Sequence, residues 1–167
     1  IYEEAVAAAC ERNGVSCFYD KRMPLGSFPP AAGLLAALEA VRRYDTEQIL
    51  RFLKSGIGPL SLEKVSELEN YTALWGIEGS RWFDEWDMNP DGFVADEDAA
   101  AENGKPDNRL SRLNEMRVLA TEPLRRLEKK LCGSAVDFCA AIYEMFSSCR
   151  AAESMRKLYY SLKEEGK

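Results

Sequence analysis

The 167-residue chain contains no histidine. This removes the usual general base near neutral pH, the Ser–His and Cys–His nucleophile pairs, and most catalytic zinc sites. Cysteine is scarce and poorly spaced for chemistry: five thiols, at positions 10, 17, 132, 139 and 149, with no CxxC pair. Neither a disulfide framework nor a ribbon-type metal site is expected from such spacing, which suits a reduced, cytoplasmic chain. Cys10, Cys139 and Cys149 lie in helical patterns, where a thiol behaves as a small buried hydrophobe. No apolar run is long enough to span a bilayer. The phosphate-loop pattern GxxxxGKS/T, the GxGxxG turn after a strand and the GxSxG nucleophile elbow are all missing. Carboxylate pairs such as Glu67 and Glu69 fit a solvated helix face, so no catalytic, cofactor-binding or metal-holding residue is expected.

What is present is a helical vocabulary. Hydrophobic residues make up 46% of the chain, against only 11 Gly and 7 Pro, enough to bury one core with at most a small appendage. Tyr2–Asn13 is an alanine-rich helix stopped by Asn13-Gly14, and Val15–Tyr19 (VSCFY) has the β-branched and aromatic character of a short strand. Pro29-Pro30 open a helix to Tyr44 whose Leu34, Leu35, Leu38 and Val41 face inward, with Arg42 and Arg43 at the end that suits cations. Asp45 or Thr46 caps a helix to Lys54 with Ile49, Leu50 and Leu53 buried, and Ser55–Pro59 breaks it.

The most structured stretch is Glu67–Trp82, in a helix that Ser61 caps. Leu62, Val65, Leu68, Tyr71 and Trp75 form one stripe, Gly76 stands where a left-handed cap ends the helix, and Gly79 turns the backbone so that it delivers Trp82. Arg109–Leu131 is a long helix with Leu110, Leu113, Met116, Leu124, Leu127 and Leu131 inward and a kink expected at Pro123. Ser134 caps a helix to Ser147 with Val136, Phe138, Cys139, Ile142, Tyr143 and Phe146 as its core face, and Ala151–Glu165 closes the series.

Charge is unevenly placed. The formal net charge is −6, yet Asp84–Asp107 alone holds nine acidic residues and one Lys, a local −8 that leaves the remainder at +2. Asp87–Asn108 therefore has the composition of an acidic surface loop. Beside it, Arg109–Leu131 holds seven Arg or Lys against three Glu. Arg109, Arg112, Arg117, Arg125 and Arg126 are candidates for phosphate contact, although helical periodicity spreads them around the axis. Within the loop, Asp87-x-Asn89-x-Asp91-Gly92, with Val94 and Asp98, follows the order of a calcium loop. Position 12 is Asp where the bidentate Glu belongs, Ala95 offers no ligand, and Asn103-Gly104-Lys105-Pro106 cut the exit helix short. An acidic calcium-responsive or protein-docking module is thus the rival to any DNA-related reading.

Five segments, GVSCFYDKRMP, the Pro29 helix start, RFLKSGI at Arg51–Ile57, LENYTALWGIEGSRW at Leu68–Trp82 and LNEMRVLATEPLRRLEKKL at Leu113–Leu131, together resemble the AddB/RexB-type subunit of bacterial ATP-dependent helicase–nucleases. The resemblance runs from about Tyr2 to Leu131 and is most specific in LENY…WGI.G.RW. It implies an internal slice of a long protein, in keeping with a chain that opens on Ile1. Residues 1–28 would be a helix–strand remnant of a helicase-like 2A motor domain, and residues 29–167 a mainly α-helical 2B-like insertion carrying the acidic loop at about 84–108. Such a slice would be a non-catalytic structural and DNA-guiding part of a double-strand-break repair machine. Its partners would be an AddA-type subunit, the rest of the parent chain and, weakly, DNA. ATP, magnesium and the nuclease domain's iron–sulfur cluster would belong to other parts of that complex, since Cys132, Cys139 and Cys149 do not match the cluster spacing.

Overall fold

Helical periodicity governs the sequence, and the computed structural model is helical wherever regular structure occurs among the described residues, which are 2–18, 24–92 and 108–164. Seven α-helices follow in order among them: α1 (Glu3–Arg12), α2 (Pro29–Arg43), α3 (Thr46–Phe52), α4 (Leu62–Trp75), α5 (Asn108–Lys130), α6 (Ala135–Ser148) and α7 (Ala151–Glu164). Single tight turns occupy Leu25–Ser27, Leu53–Ile57 and Gly79–Trp82. The α2 helix packs on α3, on the Leu53–Ile57 turn and on α5, while α5 also meets α4 and α6, and α7 lies against α6 and that same turn. Among the described residues no helix is long and apolar enough to cross a membrane.

The core is one cluster drawn from α2 to α7, centred on Phe52, Ile49, Leu53, Leu68, Trp82, Leu113, Leu124 and Leu127 and extended by Ala141, Met145, Cys149 and Ala151. Each such side chain contributes about 1.5–3 kcal/mol by leaving water. Where α2 crosses the turn after α3, its buried face consists of small residues, Gly33, Ala36, Ala37 and Ala40. A Cβ on Gly33 would lie 2.7 Å from Ile57 Cδ1 and would press on the Ser55 hydroxyl, which itself donates to the Phe52 carbonyl at 2.6 Å. The helices approach this closely because that side chain is missing.

The termini follow the expected signals, with adjustments. Pro29 and Pro30 occupy the first turn of α2. Gly76 takes the left-handed conformation (φ 57°) that ends α4. Ser134 makes a capping box, its hydroxyl accepting from the Asp137 amide while the Asp137 carboxylate accepts from the Ser134 amide at 2.9 Å. Ser61 precedes α4 as expected, but its hydroxyl meets Glu63 in place of a backbone amide. The α5 helix continues through Pro123, which is buried.

Several expectations about facing are corrected. Val15–Phe18 form no strand: the stretch is exposed and without regular structure, because no second segment among the described residues supplies a ladder of hydrogen bonds, and Tyr19 falls outside those residues. Leu35 and Leu62 point outward, since α2 buries its alanines and α4 buries Val65, Leu68 and Tyr71. The apolar side of α6 is wider than the neighbour that covers it. Ala141 and Met145 are buried there, whereas Val136 and Tyr143 stay 77% and 74% exposed and Cys139 is also exposed. Cys149 is buried as expected, with its pKa raised by burial.

The close approach at Gly33 gives a stability test. Gly33→Ala improves helix propensity by about 1 kcal/mol yet is expected to destabilise by about 1–3 kcal/mol, because Ile57 has no room to retreat. Urea unfolding checks this, and a stabilised variant would refute the tight crossing.

Candidate functional site

Two segments bring the candidate residues together: the strap Gly76–Gly92, which leaves α4 and returns across it, and α5. The strap is built around aromatic rings. Trp82 is fully buried, and its indole N–H donates to Thr46 Oγ1 at 2.8 Å. The same hydroxyl donates to the Ile77 carbonyl in a very short hydrogen bond. The Glu78 carboxylate accepts the Thr46 amide at 2.8 Å, capping α3 from a distant part of the chain where Asp45 makes no cap of its own. Arg81 closes the end of α4 by donating to the Trp75 and Gly76 carbonyls at 3.0 and 3.1 Å.

Trp86 then stacks on Tyr71 with ring centroids 4.9 Å apart and meets Trp82 edge-on at 5.5 Å. Asn114 of α5 clamps the Trp86 backbone, its Oδ1 accepting the amide at 2.9 Å and its Nδ2 donating to the carbonyl at 2.8 Å. The continuing strap is tied to α4 because Tyr71 donates to the Met88 carbonyl and Trp75 to the Asn89 carbonyl, both at 3.0 Å.

This packing sorts the five candidate arginines into three groups. Arg117 is only 8% exposed; it donates to the Trp82 carbonyl at 3.0 Å and to Asn114 Oδ1 at 3.1 Å, and lies 5.9 Å from the Trp86 ring centre. Burial lowers its pKa, an effect that Glu85 and Asp84 oppose. This guanidinium is buried and holds the strap to α5, which sets it apart from the four exposed candidates. Arg109 and Arg112 converge on Glu67 of α4: Arg112 Nη2 lies 2.7 Å from Glu67 Oε1, and Arg109 Nε 3.6 Å from the same oxygen. Arg109 also pairs with Asp91 at 2.5 Å. Arg125 lies over Phe83 at 5.1 Å, and Arg126 pairs with Glu122 one turn earlier at 2.6 Å. The structure therefore brings Arg109 and Arg112 together and separates them from Arg125 and Arg126.

The calcium-like segment is partly visible. Asn89 Oδ1 accepts the Asp91 amide at 3.0 Å, and the Asp91 carboxylate faces Arg109, so both donors already have intramolecular partners. Val94, Ala95 and Asp98 lie outside the described residues. Among the described residues no group of three or more His, Cys, Asp or Glu is arranged to hold a metal ion. The sequence offered Thr46 only as a possible helix cap and gave no role to Glu78, Asn114 or Glu128. Only Asn114 carried a signal, since an Asn in mid-helix competes with its own backbone unless something else engages its side chain.

What these elements define is a helical packing module in which a long basic helix has its arginines engaged by carboxylates, carbonyls and rings. No family model matches the chain. Three curated relatives are each named as the second, AddB-type, subunit of an ATP-dependent helicase/deoxyribonuclease. That of Ruminiclostridium cellulolyticum is 31% identical over 169 residues, covering 99% of this chain and 14% of the relative. Those of Acetivibrio thermocellus and Clostridioides difficile are 28% and 29% identical over the same shares. The chain is homologous, along nearly its whole length, to one segment of the AddB-type helicase/deoxyribonuclease family, as its sequence resemblance implies. It spans about 14% of the length of these relatives.

Two measurements test the assignment of roles. Arg117→Met is expected to lower stability by about 2–3 kcal/mol, because two buried acceptors lose a charged donor, and Arg117→Lys should recover only part of that loss; unfolding at unchanged stability would place the guanidinium outside the packing. Tyr44 donates to Glu128 Oε2 at 2.7 Å, and burial first, then this carboxylate, raise its pKa. Its raised folded-state pKa means that stability is fully present below the ordinary tyrosine value of 10.0 and is lost as pH climbs beyond it. Tyr44→Phe should flatten that decline in unfolding experiments run across the alkaline range.

Proposed function

We propose that this chain acts as a non-catalytic helical body within an AddB-type helicase–nuclease subunit that processes DNA double-strand breaks in the cytoplasm. In this reading residues 1–28 join a helicase-like motor domain. Residues 29–167 form its 2B-like insertion, which orients neighbouring domains and an AddA-type partner subunit. ATP and magnesium, and the iron–sulfur cluster, act elsewhere in the parent assembly. The observation that carries the reading is the match of 99% of the chain to a segment of AddB-type relatives. The packing is consistent with it, since the Trp82, Thr46 and Arg117 contacts hold the strap, α3 and α5 as a stiff unit.

Direct DNA contact in this reading is backbone contact by Arg109, Arg112, Arg125 and Arg126, whose exposed guanidinium groups would exchange a carboxylate or ring partner for a phosphate. Arg117 takes no part. Such contact carries no sequence preference and is weak.

The purified chain is expected to show no ATPase or nuclease activity and to bind duplex DNA weakly. Four phosphate contacts would make affinity fall on the order of 100-fold between about 50 and 200 mM salt. Fluorescence anisotropy with labelled duplexes of unrelated sequence measures both properties. Salt-insensitive or sequence-specific binding, or turnover of ATP, would overturn the proposal.

A further inference from the structure

In the middle of the well-packed α5, Val118 and Leu119 remain 46% and 49% exposed. They floor an open groove of about 520 Å³ between α5 and the segment of the strap that carries Glu85. Its polar walls carry carboxylates. Glu85 stands on the strap and Glu115 one turn before Leu119 on α5, both exposed, and neither forms an ion pair among the described residues. Among the described residues of the lining the one cation is Arg117, which donates to the Trp82 carbonyl and Asn114. Arg117 keeps its charge and is felt by Glu85, so the groove presents an apolar floor whose walls carry two carboxylates against one buried guanidinium, a net negative charge of one. That arrangement repels phosphate and favours a chain that carries both aliphatic and cationic groups.

We propose that this groove docks a basic amphipathic helix of a protein partner, with Leu-type side chains on Val118 and Leu119 and Lys or Arg heads reaching Glu85 and Glu115. Charge complementarity selects the occupant. A duplex or an acidic helix would meet the net negative charge of the walls, with Glu115 exposed and unpaired among the described residues. The floor offers a cation's aliphatic stem the cover that water does not, while its head reaches the carboxylates. The proposal uses none of Arg109, Arg112, Arg125 and Arg126, and so stands independently of the DNA reading.

The test titrates the 167-residue chain with a labelled amphipathic peptide of Leu and Lys at helical spacing, read by anisotropy at low salt. Saturable binding is expected. The double substitution Glu85→Gln and Glu115→Gln should weaken it on the order of tenfold, through loss of two exposed charge pairs. Val118→Ser with Leu119→Ser should weaken it comparably, and circular dichroism should be unchanged in both variants because all four side chains are exposed. A matching Leu/Glu peptide should not bind. The proposal is overturned by absence of binding, by affinity unaffected in either variant, by equal binding of the Leu/Glu peptide, by displacement of the peptide by duplex DNA, or by a self-association of the chain that the Val118/Leu119 variant abolishes.

Discussion

The hydrogen bond from the Trp82 indole to Thr46 is the constraint on which the remaining architecture depends. A fully buried indole N–H without a partner would cost about 1–3 kcal/mol, so Trp82 can enter the core only where an acceptor awaits it. Thr46 supplies that acceptor and, through the same hydroxyl, donates to the Ile77 carbonyl. A single oxygen thereby joins the start of α3, the exit of α4 and the turn that carries Trp82. Glu78 adds a carboxylate at the positive end of α3, directly on the Thr46 amide. Once those three segments are joined, the chain beyond Trp82 has little freedom. It must cross α4, and the ring stack of Trp86 on Tyr71 fixes where it crosses.

That crossing determines what α5 becomes. Asn114 and Arg117 occupy adjacent turns of the helix, and both are consumed in holding the strap, one by a paired amide contact to Trp86 and the other by a charged donor to the Trp82 carbonyl. A guanidinium suits this place because it can donate in its plane while its face lies near an indole, which a lysine ammonium cannot imitate. The outward consequence is a helix with distinct sides. Leu113, Leu124 and Leu127 enter the core, Arg109 and Arg112 turn to Glu67, and Val118 and Leu119 are left uncovered.

Local chemistry was legible in the sequence, and long-range pairing was not. The left-handed cap at Gly76, the prolines that open α2 and the Ser134 cap followed from rules that act within a few residues. So did the stripe Val65, Leu68, Tyr71, since helical spacing alone places those side chains on one face. What periodicity cannot supply is the identity of the neighbour. Leu35 and Leu62 satisfy the pattern for burial but lose their places to alanines and to Val65, because the helices approach more closely over small residues. On α6, an apolar surface wider than its partner leaves Val136 and Tyr143 in solvent, although either could have been core by sequence. Val15–Phe18, the described part of the strand expected at Val15–Tyr19, are irregular for a related reason: β character is realised only against a second strand, and sequence alone does not reveal whether one is at hand. Among the candidate arginines, Arg117 could not be told from Arg109 or Arg112, because its burial depends on Trp82 and Trp86, some thirty residues earlier in the chain.

The surface arginines raise a question of exchange. Arg112 and Arg126 already sit 2.7 and 2.6 Å from carboxylate oxygens, so a phosphate that binds either one must displace a carboxylate of similar size and charge. The gain in direct attraction is then a small difference between two ion pairs, each worth no more than about 1 kcal/mol at an exposed position. Most of the favourable free energy would come from counterions released by the nucleic acid, which is why such contact is expected to be sensitive to salt and indifferent to sequence. Paired arginines of this kind hold their side chains in place before a ligand arrives and restrain their affinity for it. If DNA slides past this surface, as proposed, that restraint would serve better than unpaired cations, which would hold each phosphate more tightly and slow its release.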